Sequence, residues 1–401
     1  MNLIFLTLGR ITGIGGRGIY TDLMRRFRDE GHNVWIVCPA ERRYHTPTSI
    51  KEQDGVTILS VKTFNIQKTN LVEKGIGTVM LESQFKNAIR KYLKDVRFDL
   101  ILYSTPPITL TSVVEYLKKQ NPEAISYLLL KDIFPQNAVD LGMFSKRSLI
   151  YKVFRRKEQR LYRLSDYIGC MSPANVRYLL QQDPEIDSGK VEVNPNSLEA
   201  VENVRNAGER EEIRKKYGLP LDKPVFIYGG NLGKPQGIAF LIECLQNNRN
   251  RDDCYFLIVG SGTEYPRLKS WFDREEPKSA RLMSALPASD YNILVRNCDV
   301  GMIFLDHRFT IPNFPSRLLS YLENRMPVIA FTDENTDVGD IISKNGFGIS
   351  GLHGYPEDFN NAVDEMICSS HNLDAMGEKG YQFFLKNYTV DVSYKRIMSH
   401  V

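Results

Sequence analysis

The chain has 401 residues, 42% hydrophobic and 25% charged, with a net charge of +4. That length exceeds what one core usually fills, so two domains of ordinary soluble globular composition are expected. The charge is uneven, with 29 Lys+Arg against 21 Asp+Glu in residues 1–200 and 23 against 27 in the rest, and six dispersed cysteines without CxxC or histidine at ligand spacing exclude a structural zinc site.

The opening "MNLIFLTLG" lacks a basic leader and runs into glycine-rich sequence, so it reads as a first strand rather than a signal peptide. Strands are expected at "NVWIVCP", "VTILSV", "DLILYS", "ISYLLL" and "YIGCMS", with amphipathic helices between several of them, as in "GIYTDLMRRFRDEG", where Ile19, Leu23, Met24 and Phe27 recur at helical spacing. A second series of strands starts near residue 224 with "PVFIYGG" and continues through "CYFLIVG", "ARLMSAL", "VGMIFL", "PVIAFT" and "FGISG". Alternating strands and helices predict parallel α/β sheets. A polar linker near residue 200 divides the chain into an N-terminal Rossmann-like domain (1–200) and a C-terminal one (201–375). The last residues, 376–401, read as terminal helices that cross back to the first domain. No stretch approaches the roughly 20 apolar residues of a membrane-spanning helix, and a reducing, cytoplasmic setting is expected, with peripheral membrane contact open.

Each half carries a glycine-rich turn after its first strand, "TLGRITGIGGRGIY" and "IYGGNLGKPQGI". At the carboxyl end of a parallel strand, glycine lets the backbone approach an anion, and the next helix presents free N–H groups to it. Arg10, Arg17 and Lys234 add positive charge at these turns. Neither turn fits GxGxxG or a P-loop, so each is either a phosphate cradle or a tight turn; two basic ones suggest a cleft gripping one anionic ligand from both sides.

From here the order of motifs resembles a family, the GT-B glycosyltransferases of retaining family 4, and within it the bacterial O-antigen and capsular polysaccharide enzymes. The resemblance runs through Gly15-Gly16, Gly31-His32-Asn33-Val34, Ser104-Thr105-Pro106-Pro107, "LLLKDIFPQNAVDLGMF", "VNPNSLEA", "IYGGNLGKPQGI" and "NFPSRLLSYLENRMPVIA". It implies two Rossmann-like domains facing across a cleft. It also implies transfer of a sugar from a nucleotide donor, with UDP expected, to a polyprenyl-diphosphate-linked or other glycan acceptor. No cofactor and no metal are expected. The leaving diphosphate would be met by cations and backbone amides.

Carried onto this chain, the donor residues are Gly15 and Gly16 in the first turn, then Gly230, Asn231, Gly233 and Lys234 in the second. Pro315, Ser316, Arg317 and Leu318 follow, where a helix start aims amides at the diphosphate; ordinary helix capping is the alternative. Two departures stand out. The places where relatives have paired glutamates hold Pro312 and Ser320, leaving Glu323 as a ribose ligand or a surface charge. Gln236 stands where a second base is common. Asp132 is the catalytic carboxylate to test beside Lys234: at a strand end it would orient an acceptor hydroxyl or the sugar, or else cap the turn that follows. His32 reads as structural.

Basic and apolar residues mingle in two segments. One holds Phe64, Leu71, Val72 and Ile76 with Lys68, Lys74, Lys86, Arg90, Lys91 and Lys94. The other holds Lys146, Arg147, Lys152, Arg155, Arg156, Lys157, Arg160 and Arg163. They suit an anionic membrane surface, or are solvated helix faces. Nucleic-acid binding lacks any supporting motif. A GT-B epimerase and a non-catalytic sugar-nucleotide sensor remain as alternatives.

Overall fold

The computed structural model describes all residues except 67, 68, 70 and 203–206. Lys68 lies outside the described residues, as do the side chains of Leu71, Val72 and Lys74. The chain forms two units, Met1–Glu199 with Thr389–Val401, and Ala200–Tyr388.

Unit 1 runs β1 (Asn2–Leu6), α1 (Ile19–Asp29), β2 (Asn33–Glu41), β3 (Ser49–Gln53), β4 (Val56–Thr63), α2 (Leu71–Tyr92), β5 (Leu100–Ser104) and α3 (Thr111–Gln120). It continues with β6 (Ile125–Leu130), α4 (Gln136–Asp140), α5 (Leu149–Leu164), β7 (Tyr167–Cys170), α6 (Pro173–Gln182) and β8 (Val191–Val193). The sheet order is β3-β4-β2-β1-β5-β6-β7-β8. All pairs are parallel except β3 on β4. β1, β5 and β6 read as unbroken apolar runs because both faces are covered. In β1, Ile4 and Leu6 pack with Leu81, Phe85, Val113 and Leu161 from α2, α3 and α5. Leu3 and Phe5 point the other way, into Leu23, Met24 and Phe27 of α1.

Unit 2 runs α7 (Ala207–Lys216), β9 (Val225–Asn231), α8 (Ile238–Asn248), β10 (Tyr255–Ser261), α9 (Tyr265–Glu275), β11 (Ala280–Ser284) and α10 (Ala288–Arg296). Then come β12 (Val300–Phe304), α11 (Arg317–Glu323), β13 (Val328–Thr332), α12 (Val338–Lys344), β14 (Gly348–Leu352), α13 (Pro356–Cys368) and α14 (Leu373–Asn387). Its parallel sheet has the order β11-β10-β9-β12-β13-β14. This is the doubly wound order, reversing direction between β9 and β12.

The last helix, α15 (Val390–Met398), belongs to unit 1, so the return falls at Thr389 and α14 stays with unit 2. Ile397 is fully buried there, and Tyr394 packs edge-on against Phe27 with its hydroxyl 2.9 Å from His32 Nε2. His32 thus anchors a terminal helix, and burial holds its imidazole below the ordinary value.

Candidate functional site

In doubly wound sheets ligands bind outside the carboxyl ends of the strands where the order reverses. In unit 2 that place is the end of β9. Gly230 there has φ +117 with open space where a side chain would stand. The chain then passes through Asn231 and Gly233 into a short turn of 3-10 helix at Lys234–Gln236. It enters α8 through Gly237, at φ +57 and packed on the Leu305 carbonyl and His353, which no other residue could occupy without strain. A cavity of about 390 Å³ opens beside the loop, lined by Gly230, Asn231, Gly260, Ser261, Leu286 and Tyr291.

Lys234 is exposed, and its ammonium meets no carboxylate among the described residues. Gln236 is buried, and its Oε1 accepts from the Tyr228 hydroxyl at 3.4 Å and from Arg317 Nη2. The Arg317 guanidinium also lies over the Tyr228 ring, 4.2 Å from its centroid, and its Nη1 is buried without a partner among the described residues. A second cation therefore stands behind the turn, delivered by α11 rather than by the loop. The turn itself stays poor in charge, as Gln236 in place of a base implies, and the second cation comes from α11. Arg317 lies 81 residues beyond Gln236, and nothing local to the loop signals the contact.

Pro315 and Ser316 lead into α11, but Ser316 is already helical at φ −62, ψ −20. The hydrogen bonding of the helix starts early: Leu318 N–H donates to the Pro315 carbonyl at 3.2 Å. The expectation that the Leu318 amide faces a ligand is thus wrong, because that amide is already engaged. Glu323 is 4% exposed, which removes the surface-charge reading; it sits within the unit beside buried Tyr321 and Leu322.

In unit 1 the order reverses between β1 and β5. The first glycine turn follows β1, and its Ile14 and Gly15 amides both donate to Asp54 Oδ2, at 2.9 and 3.1 Å. Asp54 and Gly55 form the β3–β4 turn, with φ +54 and +76, which folds this carboxylate onto the loop. Gly15 is therefore held by an internal anion in this structure, contrary to its expected freedom. Gly16 is exposed with open space at its Cα. The Arg17 guanidinium donates to the Glu199 carbonyl at 2.7 Å, and Arg10 stacks on Tyr44 at 3.8 Å.

Thr105 of the "STPP" segment brackets the end of β6, its Oγ1 accepting from the Lys131 and Asp132 amides at 3.0 and 3.2 Å. Consecutive residues leave a strand on opposite sides, so the two side chains part. The Lys131 ammonium donates to the Asn194 carbonyl at 2.9 Å, and desolvation pushes it down to about 7. The buried amine was passed over in the sequence; a lysine closing an apolar strand beside an aspartate was its signal. Asp132 enters a cavity of about 450 Å³ lined by Leu8, Pro106, Ile108, Phe134, Met143 and Phe154 among others. Asn137 Nδ2 donates to Asp132 Oδ1 at 2.7 Å, and burial raises the carboxyl to about 6. The first residue before α4 is Pro135 and the helix has no side-chain cap, so Asp132 is not its cap.

Residues 209–383, most of unit 2, match the family model described as Glycosyl transferases group 1. The chain is 22% identical over 343 residues to the probable glycosyltransferase WbjE of Pseudomonas aeruginosa, covering 83% of this chain and 81% of that one. The chain is a glycosyltransferase, with a GT-B fold. The fold is shared with sucrose-phosphate synthase of Thermosynechococcus elongatus, at TM-score 0.75 and 14% identity over the whole of both chains. It is also shared with HepE of Anabaena, solved with UDP, at TM-score 0.71 and 13% identity, covering 100% of this chain and 99% of that one. In this glycosyltransferase the β9 turn with Lys234, Gln236 and Arg317 lies inside the segment that carries the family match.

Proposed function

We propose that the chain is a retaining glycosyltransferase of family 4 type, acting in bacterial surface-polysaccharide synthesis such as O-antigen or capsule. In this reading unit 2 binds a UDP-sugar, an N-acetylated hexosamine or a deoxyhexosamine, and unit 1 takes a glycan acceptor carried on polyprenyl diphosphate at the cytoplasmic membrane face. The observation that carries it is the pair of cations at the end of β9. Among the described residues Lys234 meets no carboxylate, and Arg317 is fixed by Gln236 and Tyr228 with one nitrogen left without a partner.

As the anomeric C–O bond breaks, negative charge develops on the departing nucleoside diphosphate while the anomeric carbon becomes oxocarbenium-like. Donors preorganised where that charge develops stabilise the transition state more than the bound substrate. Lys234 and Arg317 take that role here, in place of a divalent ion. Gly230, Asn231 and Gly233 let the backbone approach, and Pro315 and Ser316 set the angle at which α11 brings Arg317 in. The cavity beside Gly230 suits the base in size and lining. Glu323, buried near the base of α11, and Gly16, open in the first turn, are the further donor contacts of this reading. Asp132 orients the acceptor hydroxyl. The likeness to HepE, solved with UDP, supports the donor class, and the likeness to WbjE, a probable glycosyltransferase, supports the transfer reaction.

Thermal melting with a nucleotide panel tests the donor: ligand near 100 Kd adds about 2.7 kcal/mol, so UDP is expected to shift the transition where GDP does not. Turnover with the matching UDP-sugar, followed by NMR of the anomeric configuration, tests the rest. Inversion would overturn the retaining assignment, and UDP binding without any turnover would leave a sensor.

A further inference from the structure

The first glycine turn of unit 1 is sorted by charge. Two of its carbonyls face cations: Thr12 accepts from Lys51 Nζ at 2.8 Å, and Ile14 accepts from Arg25 Nη1. Two of its amides face an anion, for those of Ile14 and Gly15 converge on the single oxygen Asp54 Oδ2, at 2.9 and 3.1 Å. Successive N–H groups aimed at one oxygen form a nest, a concavity that suits a phosphate oxygen as well as a carboxylate. Gly13 makes room for the contact, since a Cβ there would stand 2.6 Å from Asp54 Oδ2 and 3.2 Å from Gln53 Cγ.

The anion that fills this nest is lightly held from behind. Asp54 is exposed, at φ +54, in the turn between β4 and the edge strand β3, and every residue from Ser49 to Gly55 is exposed. Beyond the two amides, its carboxylate meets Gln53 Nε2, 2.9 Å from Oδ1. That hydrogen bond first, and the two amides after it, hold the carboxyl below its ordinary value, so it is charged at neutral pH. Arg28 Nη1 donates to the Asp54 carbonyl at 2.6 Å and fixes the backbone of the turn rather than the side chain. The carboxylate can therefore turn away from the amides while the buried residues of the sheet stay in place.

We propose that Asp54 is a self-inhibitory stand-in for a diphosphate: its carboxylate fills the nest in the free protein, and the diphosphate group of a nucleotide displaces it and takes over the Ile14 and Gly15 amides. This rests on the reading of the first glycine turn as a donor contact. A diphosphate carries more charge and more acceptor oxygens than one carboxylate, so it wins the exchange once bound nearby. The latch sets a threshold, because a nest closed for about nine-tenths of the time lowers the apparent affinity of its ligand about tenfold. Weakly held anions are thereby kept off the turn, and Gly15 becomes available only to a ligand that competes for it.

Two variants of the full chain test the displacement. Asp54→Gly suits the φ of the turn and removes the side chain, and Asp54→Asn keeps a residue that tolerates this backbone while removing the charge. Calorimetric titration with UDP is expected to give a Kd about five- to tenfold lower for Asp54→Gly than for wild type, with Asp54→Asn between them. Hydrogen exchange reads the amides directly. Without ligand, Ile14 and Gly15 are expected to exchange about tenfold faster in Asp54→Gly. Saturating UDP is expected to restore their protection, whereas uridine, which has no phosphate, leaves them fast. In the wild type the Asp54 carboxyl carbon resonance is expected to shift with UDP and not with uridine, a readout that needs no substitution. Circular dichroism of the ligand-free variants controls for folding. Amides that stay fast under saturating UDP, protection restored equally by uridine, a stationary Asp54 resonance, or a UDP affinity in both variants no higher than in wild type overturns the displacement. Each of these leaves Asp54 as a clamp that only shapes the turn, with the donor reading intact. UDP binding to neither wild type nor variants would instead remove the donor reading, and the latch with it.

Discussion

Asp132→Asn takes a charge out of an apolar cavity while keeping the shape of the side chain, so its effects on folding and on turnover are expected to have opposite signs. Burial raises the Asp132 carboxyl to about 6, roughly two decades above an ordinary aspartate near 3.9. The folded state therefore holds this proton more tightly than the unfolded one. Its contribution to stability is complete below about pH 4, is lost as pH rises to about 6, and stays lost above that. At about 1.36 kcal/mol per decade, ionisation costs up to about 3 kcal/mol. Solvent reaching the side chain reduces this, leaving an expected gain of about 1–3 kcal/mol for the variant at pH 7. Asparagine keeps an oxygen for Asn137 Nδ2, so the hydrogen bond seen at 2.7 Å survives. Melting temperatures of wild type and variant, measured from pH 4 to pH 8, should diverge between pH 4 and 6 and then run parallel. The difference isolates Asp132 from other groups that titrate in this range, such as Glu158, which burial raises to about 7, and Lys131. Turnover is expected to fall about 10²–10⁴-fold, and the wild-type rate to decline below pH 6 as the carboxyl protonates. A variant less stable than wild type at pH 7, or a difference without pH dependence, would refute the desolvated carboxylate.

Arg317→Ala is expected to lower kcat by about 10²–10³ and to cost about 1–3 kcal/mol of stability through the lost stack on Tyr228 and the lost partner of Gln236; unchanged UDP-release kinetics would make the residue a packing element alone. Lys234→Ala removes an exposed, unpaired cation, so thermal stability should stay within about 0.5 kcal/mol while kcat falls at least tenfold. Asp54→Ala releases the Ile14 and Gly15 amides, and hydrogen exchange at those two positions should accelerate at least tenfold, with equal protection in the variant counting against the latch. Gln236→Lys, which restores the second base common among relatives, is expected to reduce stability by about 1–3 kcal/mol and not to raise activity; a faster enzyme would show that Arg317 does not fill the role.

Much of the architecture could be read from local pattern. The inner parallel strands are covered on both faces, and such strands announce themselves as apolar runs; β1, β2, β5, β6, β9, β12 and β13 all do so. β3 escaped because every one of its residues is exposed and it pairs antiparallel at the sheet edge, leaving "SIKEQ" without a buried face to impose alternation. β8 is three residues long, too short for a period to show. The sequence holds no local mark of where the chain returns to unit 1, because α14 and α15 are both amphipathic and their destinations depend on Phe384 and Ile397 finding different cores.

The site was legible where chemistry and backbone sit in one segment, and illegible where they do not. Glycines at the end of β9 could be recognised because their backbone angles belong to the turn itself. The charge of the turn could not, since a polar side chain in a loop is defined by what reaches it. Gln236 looks like the loss of a base when read along the chain. In the folded unit it is an acceptor, and its amide oxygen, facing Arg317 and Tyr228, holds the guanidinium over the ring while leaving Nη1 unclaimed among the described residues. A lysine at this position would repel that guanidinium and leave its Nη2 unsatisfied. The same logic explains Asp54 and Gly15, where a carboxylate 39 residues away occupies amides that the glycine pattern leaves apparently free. Both cases favour a glycosyltransferase whose anion-facing groups are positioned across the topology of each unit, with the glycine turns providing access and distant side chains deciding the charge.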